Sequence, residues 1–262
     1  MTSTRFPRLL VAVCMLAFPA CAGDADVAQT DPTPPPASPS ASPAEEFELG
    51  ELAPPDFAGG GLGLWTKDKF FTIYEKPTKS SRSTRLKAWN PLGQRLRLLV
   101  LDTAEMTEGG GWFKVLVPER PNGSKGWIRS DPKDMKVDQL PARIEVDLSE
   151  RRLEYFEAGK LVRTARVGIG QDQYPTPTGT FYIWASVPQP SPTGPYGRFA
   201  LGLSGFSPVL SDWPGGGRSA IHGTAVESDR GQKVSHGCVR VFNKDMRKLE
   251  KLPLGTPVLI EA

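Results

Sequence analysis

Histidine occurs only twice and cysteine only three times in this chain of 262 residues. Long apolar runs are missing too. The one sustained stretch, residues 9–18, stops at Pro19, well short of the roughly 20 residues an ordinary helix needs to span a bilayer. A polytopic membrane protein is therefore excluded. Glycine and proline, by contrast, are abundant: 27 Gly and 26 Pro make up about a fifth of the chain, where average usage is about an eighth. So turn-rich a chain leaves little room for a long-helix bundle or a coiled coil. Its length suits one or two domains, each able to bury a core.

At the N-terminus, Arg5 and Arg8 precede the apolar run Leu9 to Phe18, and Pro19, Ala20 and Cys21 follow. A basic start, a short apolar segment and small residues form a secretory signal, so residues 1–20 are expected to be removed and the chain exported. Phe18-Pro19-Ala20-Cys21 resembles a bacterial lipobox. This implies a lipidated Cys21 as the first mature residue, with each buried CH₂ contributing about 0.8 kcal/mol to membrane anchoring. Cleavage without lipidation is the alternative. The expected location is the cell envelope or periplasm, with membrane contact only through that lipid. Residues 21–58 read as a linker: six prolines among Ala, Ser and Thr between Asp31 and Ala44 give a stiff, extended spacer with too little apolar surface to fold. From 21 to 57 there are eight acidic residues and no Lys or Arg, which leaves residues 58–262 with a net charge of +9. The basic residues are dispersed, as on a solvated surface. They permit an anionic polymer as partner and do not call for nucleic acid.

The remainder divides near Gln139 to Ala142. Within 59–138, short apolar runs (Phe70 to Tyr74, Arg95 to Leu101, Trp112 to Val117, Gly126 to Arg129) alternate with turn signals such as Asn122-Gly123, the pattern of a small barrel. The stretch from Gly111 to Ile128 resembles the closing hairpin of a bacterial SH3-like domain. Trp112 and Trp127 read as packing residues. No nucleophile, acid or base constellation occurs here, so the segment reads as a binding or spacing module.

In 139–262, Ile144 to Leu148 alternates apolar and polar, and turns at Ser149 to Arg152 and Ala158 to Lys160 make a β meander. Further strands are expected at Leu161 to Ile169 and Thr180 to Ala185, separated by Tyr174-Pro175-Thr176-Pro177-Thr178-Gly179, where two prolines force a turn. Residues 186–219, rich in Pro, Gly and Ser and containing Tyr196, Phe199, Phe206 and Trp213, read as a long loop, of a length that marks a lid or an insertion.

Beyond that loop the scarce residues converge. His222 and His236, the two histidines, stand within 16 positions of Cys238. Once the signal is gone and Cys21 is lipidated, Cys238 is the one free thiol of an exported protein. A nearby imidazole can take a thiol's proton and later return one to a leaving amine, and either histidine could serve. Residues i and i+2 of a strand lie about 6.5 Å apart at Cα, so His236 would reach Cys238 only through a distorted turn at Gly237. Residues on adjacent strands approach to about 5 Å at Cβ, which favours His222. Gly223 would let a backbone carbonyl orient its ring. The backbone N–H groups of Gly237 and Cys238 would be free for an oxyanion. Arg240 could share the face of Cys238 and bind a substrate carboxylate.

His222-Gly223-Thr224 followed by Ser235-His236-Gly237-Cys238-Val239-Arg240, and preceded by the Pro175 to Gly179 and Ile144 to Leu148 segments, resembles the L,D-transpeptidase catalytic domain, the YkuD family. The resemblance spans residues 142–261. It implies a β-rich domain with Cys238 as acylated nucleophile, His222 as base and the Gly223 carbonyl as third member, while Ser235, His236, Gly237 and Arg240 shape the site. It also implies peptidoglycan stem peptides of the meso-diaminopimelate type as substrates, release of D-Ala, 3→3 cross-linking, and no cofactor. The expected fold is thus mainly β: an SH3-like barrel at 59–138, then the catalytic domain at 139–262. Trimming by an L,D-carboxypeptidase reaction, or attachment of an envelope protein, would use the same site. Two readings stand outside this class. One is a zinc site of His222, His236 and Cys238 completed by Asp229 or Glu227, whose His-x-Cys spacing is not the usual clip. The other is a non-catalytic peptidoglycan-binding envelope lipoprotein.

Overall fold

A computed structural model describes residues 57–107, 110–212 and 215–262. The expected signal, Cys21 and all of the linker up to residue 56 lie outside the described residues, as does Trp213. Phe57, placed in the linker by composition, is buried at 5% exposure among the residues of the first core.

The first half contains β1 (Gly61–Thr66), β2 (Phe70–Tyr74), β3 (Ser83–Lys87), β4 (Leu98–Thr107), β5 (Gly110–Leu116), β6 (Lys125–Arg129) and β7 (Met135–Leu140). They form one barrel-like sheet in the order β3-β2-β6-β5-β4-β1-β7, antiparallel at every pairing. Short strands that alternate inward and outward leave one face apolar; here Leu64, Phe71, Leu98, Val115 and Ile128 fill the interior. Trp112 is buried with its ring edge-on to Tyr74 at 5.3 Å, and Trp127 lies beneath the Lys114 ammonium. Both tryptophans pack as the sequence suggested.

The second half contains β8 (Ala142–Asp147), β9 (Arg152–Glu157), β10 (Lys160–Arg166), β11 (Ile169–Gly170), β12 (Gly179–Pro188), β13 (Phe199–Phe206), β14 (Arg218–Thr224), β15 (Lys233–Ser235), β16 (Val239–Phe242), the helix α1 (Asn243–Leu249) and β17 (Pro257–Glu261). Eight of these strands form a mixed sheet, β10-β9-β8-β17-β12-β13-β14-β16, while β11 and β15 pair separately. In β8, Ala142, Ile144 and Val146 face the core and Arg143, Glu145 and Asp147 face outward. That alternation selects a strand with one buried face, and fully burying a side chain such as Ile144 contributes about 1.5–3 kcal/mol.

The two sheets belong to one compact unit, and β12 joins their cores. Its Phe181 and Ile183 enter the core of the mixed sheet, whereas Tyr182 is buried in that of the barrel with Trp184 against it. Period-two alternation thus feeds two cores from one strand.

The sequence suggested one long loop at 186–219, but the structure places a whole strand, β13, in the middle of it. Gly202 and Gly205 disguise that strand, because they act in packing rather than in turns. A Cβ on Gly205 would lie 2.2 Å from the Phe181 ring, so glycine is required where β13 crosses an aromatic side chain.

Candidate active site

The parallel pair β14 and β16 sets the site. Ile221 is opposite Val239 and His222 opposite Arg240. Ile221, Val239 and Val241 are buried in the core, so their neighbours His222 and Arg240 project to the other face. Cys238, immediately before β16, lines a cavity of about 170 Å³ together with His222, Ser235, His236 and Arg240.

Cys238 is presented by a local device. Ser235 donates its hydroxyl hydrogen to the Cys238 carbonyl at 2.5 Å, and its Oγ accepts the Gly237 N–H at 3.1 Å. Gly237 has φ +108°, which an L side chain adopts only with strain. The Gly237 amide, expected to be free for an oxyanion, is therefore bound to Ser235. The approach to this turn is held by β11, where Gly170 pairs with Ser235 and the Gln171 N–H reaches the Ser235 carbonyl at 2.9 Å. The proline-rich turn contributes through Thr176, whose Oγ1 accepts the Gly170 N–H at 2.9 Å.

His222 is 3% exposed. Its Nδ1 donates to the Gly223 carbonyl at 2.9 Å, which leaves Nε2 as the nitrogen with the lone pair. Burial pushes its pKa down to about 4; the Gly223 bond and Asp229 oppose this, and Arg240 reinforces it. The Cys238 thiol is pushed up by burial, against a backbone hydrogen bond to Ala220 and the charge of Arg240. At neutral pH the resting pair is thus a thiol and a neutral imidazole. An imidazole in that state can accept a proton as the sulfur attacks.

Arg240 does not point freely toward solvent. Its Nη1 donates to Asp229 Oδ2 at 3.2 Å, and the same oxygen accepts the Thr224 hydroxyl at 2.8 Å. Asp229, considered from sequence as a zinc ligand, serves instead to hold Arg240 and the end of β14. Among the described residues no group of three or more His, Cys, Asp or Glu is arranged to hold a metal ion. His236 is exposed, and its ring lies 4.7 Å from that of Tyr174.

Three contributors to the site were not assigned from sequence. Tyr196 sets its ring edge-on to His222 at 5.1 Å. Its loop is pinned by Asn243, which accepts the Arg198 N–H at 2.9 Å and donates to the Pro192 carbonyl at 2.7 Å. Arg218 lines the cavity with its guanidinium between Trp184 and Phe206, 3.9 and 4.2 Å from their centroids. Burial brings its pKa down to about 10. Arg218 lies four residues before His222 on β14, a spacing that places both on one strand face; Tyr196 and Asn243 arrive from segments that only folding brings together.

A buried imidazole with one nitrogen tied to a backbone carbonyl, on the strand face that leads to a single cysteine, defines a cysteine acyl-transfer site on a mainly β scaffold. The family model for the L,D-transpeptidase catalytic domain, YkuD, matches residues 141–260. A Bacillus licheniformis relative named as an L,D-transpeptidase, YkuD, is 37% identical over 124 residues, 47% of this chain and 67% of that protein. One from Escherichia coli K12 named as an L,D-transpeptidase, YbiS, is 33% identical over 154 residues, 51% of this chain and 49% of its own length. Among solved structures, the NMR structure of the catalytic domain of an E. faecium L,D-transpeptidase is 25% identical and covers 47% of this chain and 98% of that one, with a TM-score of 0.35. The chain belongs to the YkuD family of L,D-transpeptidases. It spans about half the length of the Escherichia coli relative.

Proposed function

We propose that this protein is an exported peptidoglycan L,D-transpeptidase that forms 3→3 cross-links. The reading is carried by one observation: His222 is buried, neutral and fixed in a single tautomer by Gly223, on the strand face beside Cys238. The Cys238 sulfur attacks the carbonyl at the L-centre of meso-diaminopimelate in a stem tetrapeptide while His222 Nε2 takes the thiol proton. The Cys238 backbone N–H donates to the oxyanion. Collapse breaks the bond to D-Ala, whose amine leaves with the proton held by His222, and a thioester remains. The amine of a second stem then attacks the thioester, loses its proton to His222 and releases the thiol. If water replaces that amine, the outcome is trimming by carboxypeptidase chemistry; if a protein amine replaces it, the outcome is attachment. Arg240 and Arg218 on the cavity wall suit the carboxylates of such a peptide.

The barrel at 59–138 is read as an SH3-like module, and Cys21 as a lipid anchor that holds the enzyme in the cell envelope. Intact-mass measurement after incubation with a tetrapeptide or a carbapenem tests the catalytic reading. An adduct on the wild-type chain that is lost in Cys238→Ala is expected; acylation that persists in Cys238→Ala overturns it. Muropeptide profiles of cells with and without Cys238 separate cross-linking from trimming and from attachment.

A further inference from the structure

We infer that the barrel's β5–β6 loop is part of the substrate site: Arg120 and Asn122 act as positioning residues that set one wall of the cavity holding Cys238. This inference rests on the L,D-transpeptidase reading above. The wall consists of Ser207, Leu210, Gly217 and Arg218, and each is held from the barrel side or beside a residue that is.

Three alternate positions of the loop make the contacts. The Pro118 carbonyl accepts Arg218 Nη2 at 3.2 Å. Arg120 gathers three backbone carbonyls: Nη1 donates to Ser207 at 3.0 Å, and Nη2 to Leu210 at 2.8 Å and to Gly216 at 3.1 Å. Asn122 completes the end of β13 as a missing strand would, donating Nδ2 to the Phe206 carbonyl at 2.8 Å and accepting the Phe206 N–H at 2.9 Å. Arg120 also lies over the Phe206 ring.

Within one side of the wall the Ser207 Oγ accepts the Val209 and Leu210 N–H groups at 3.3 and 3.1 Å, and between the two sides the Ser207 N–H reaches the Gly217 carbonyl at 2.7 Å. Gly217 permits this approach: it has φ +73°, and a Cβ there would fall 1.8 Å from the Leu210 carbonyl oxygen. The guanidinium of Arg120 bonds to both sides at once, at Ser207 and Leu210 on one and Gly216 on the other, and so adds to the Ser207–Gly217 bond in fixing the distance between them. A planar fork satisfies several carbonyls in one geometry, which an ammonium cannot do. Arg120 is itself exposed, so its loss removes local order and leaves both cores intact.

The consequence is chemical. The same wall carries Arg218, so the barrel decides where a cation meets the donor peptide relative to Cys238. Displacing a positioning contact by about 1 Å can cost up to 100-fold in rate without touching the reacting atoms.

The test uses the full mature chain with Arg120→Ala, Arg120→Lys and Asn122→Ala. Acylation of Cys238 by a stem tetrapeptide should fall roughly tenfold or more in Arg120→Ala, mainly through a raised KM. Alkylation of Cys238 by iodoacetamide, which needs no wall, should keep its wild-type rate. Arg120→Lys should recover only part of the loss. Amide hydrogen exchange at residues 207–210 and 215–217 should accelerate in Arg120→Ala and stay unchanged in the β8–β9 hairpin. Wild-type tetrapeptide kinetics in Arg120→Ala and Asn122→Ala, or an equal loss of alkylation and acylation, would overturn the inference. Failure of the wild-type chain to react with tetrapeptide would sink the functional reading instead, and unchanged exchange in the wall would still decide against the role of Arg120.

Discussion

His222 and Arg240 stand directly opposite each other in the parallel β14–β16 pair, so a buried imidazole and a guanidinium share one face beside the cysteine. Arg240 disfavours the protonated imidazole and favours the thiolate, and both effects are smaller than that of burial. The resting site therefore avoids an ion pair and stores a neutral base next to a neutral thiol. Charge separation waits for a substrate that can use it.

The pH dependence of acylation follows. With the His222 pKa lowered to about 4, the base form persists through the range in which an ordinary histidine, near 6.5, would already be protonated. Single-turnover acylation by a tetrapeptide should hold its rate as pH falls from 7 to about 5 and decline as pH passes through about 4. His222→Gln should remove that acid limb along with most of the rate. An acid limb centred near 6.5 would count against the burial argument.

The same shift is a statement about stability. The folded state holds His222 neutral below the pH at which the unfolded chain protonates it, so between about 6.5 and 4 the unfolded state binds more protons. The stability present above 6.5 should be lost progressively as pH falls through that window. Urea unfolding at a series of pH values should show this slope, and it should flatten in His222→Gln.

Asp229 should behave as a clamp. Its carboxylate accepts from both Thr224 and Arg240, and Asp229→Ala leaves the partly buried Arg240 without that partner. A loss of about 1–3 kcal/mol in urea unfolding is expected, with reduced acylation by tetrapeptide. Asp229→Asn, which keeps an acceptor, should lose less on both measures.

Gly197 should tolerate no side chain. It has φ +59°, and a Cβ would lie 2.2 Å from the Gly223 carbonyl carbon and 2.5 Å from Asn243 Oδ1. Gly197→Ala should destabilise the fold by about 1–3 kcal/mol and shift Tyr196 away from His222. Thermal unfolding reads the first effect. The second should appear as slower acylation, because the Gly223 carbonyl that orients the imidazole lies at the point of collision.

Much of the fold was legible locally. The β8 alternation, the meander through β9 and β10, and the tryptophan pair of the barrel all follow from period-two patterning and turn residues, which depend on neighbours a few positions away. The strand β13 was hidden because its glycines answer to Phe181 and Ala185 on β12, residues a sequence window does not connect. Gly237 misled for the same kind of reason. Glycine signals backbone freedom, but whether its N–H remains available depends on where the Ser235 hydroxyl turns.

The sequence by itself determined the chemistry: Cys238 with both histidines of the chain gathered near it, and the motif pattern around them that marks an L,D-transpeptidase. Residue types dictate what protons and electron pairs are available, and here those types were too scarce to be ambiguous. Only the tertiary structure decided which histidine is buried, which amide is already bound, and that Arg240 is held by Asp229. It alone brought Arg120 of the barrel onto the wall of the catalytic cavity. That last outcome depends on distances between segments more than 80 residues apart, and such distances are set by how two cores pack through β12.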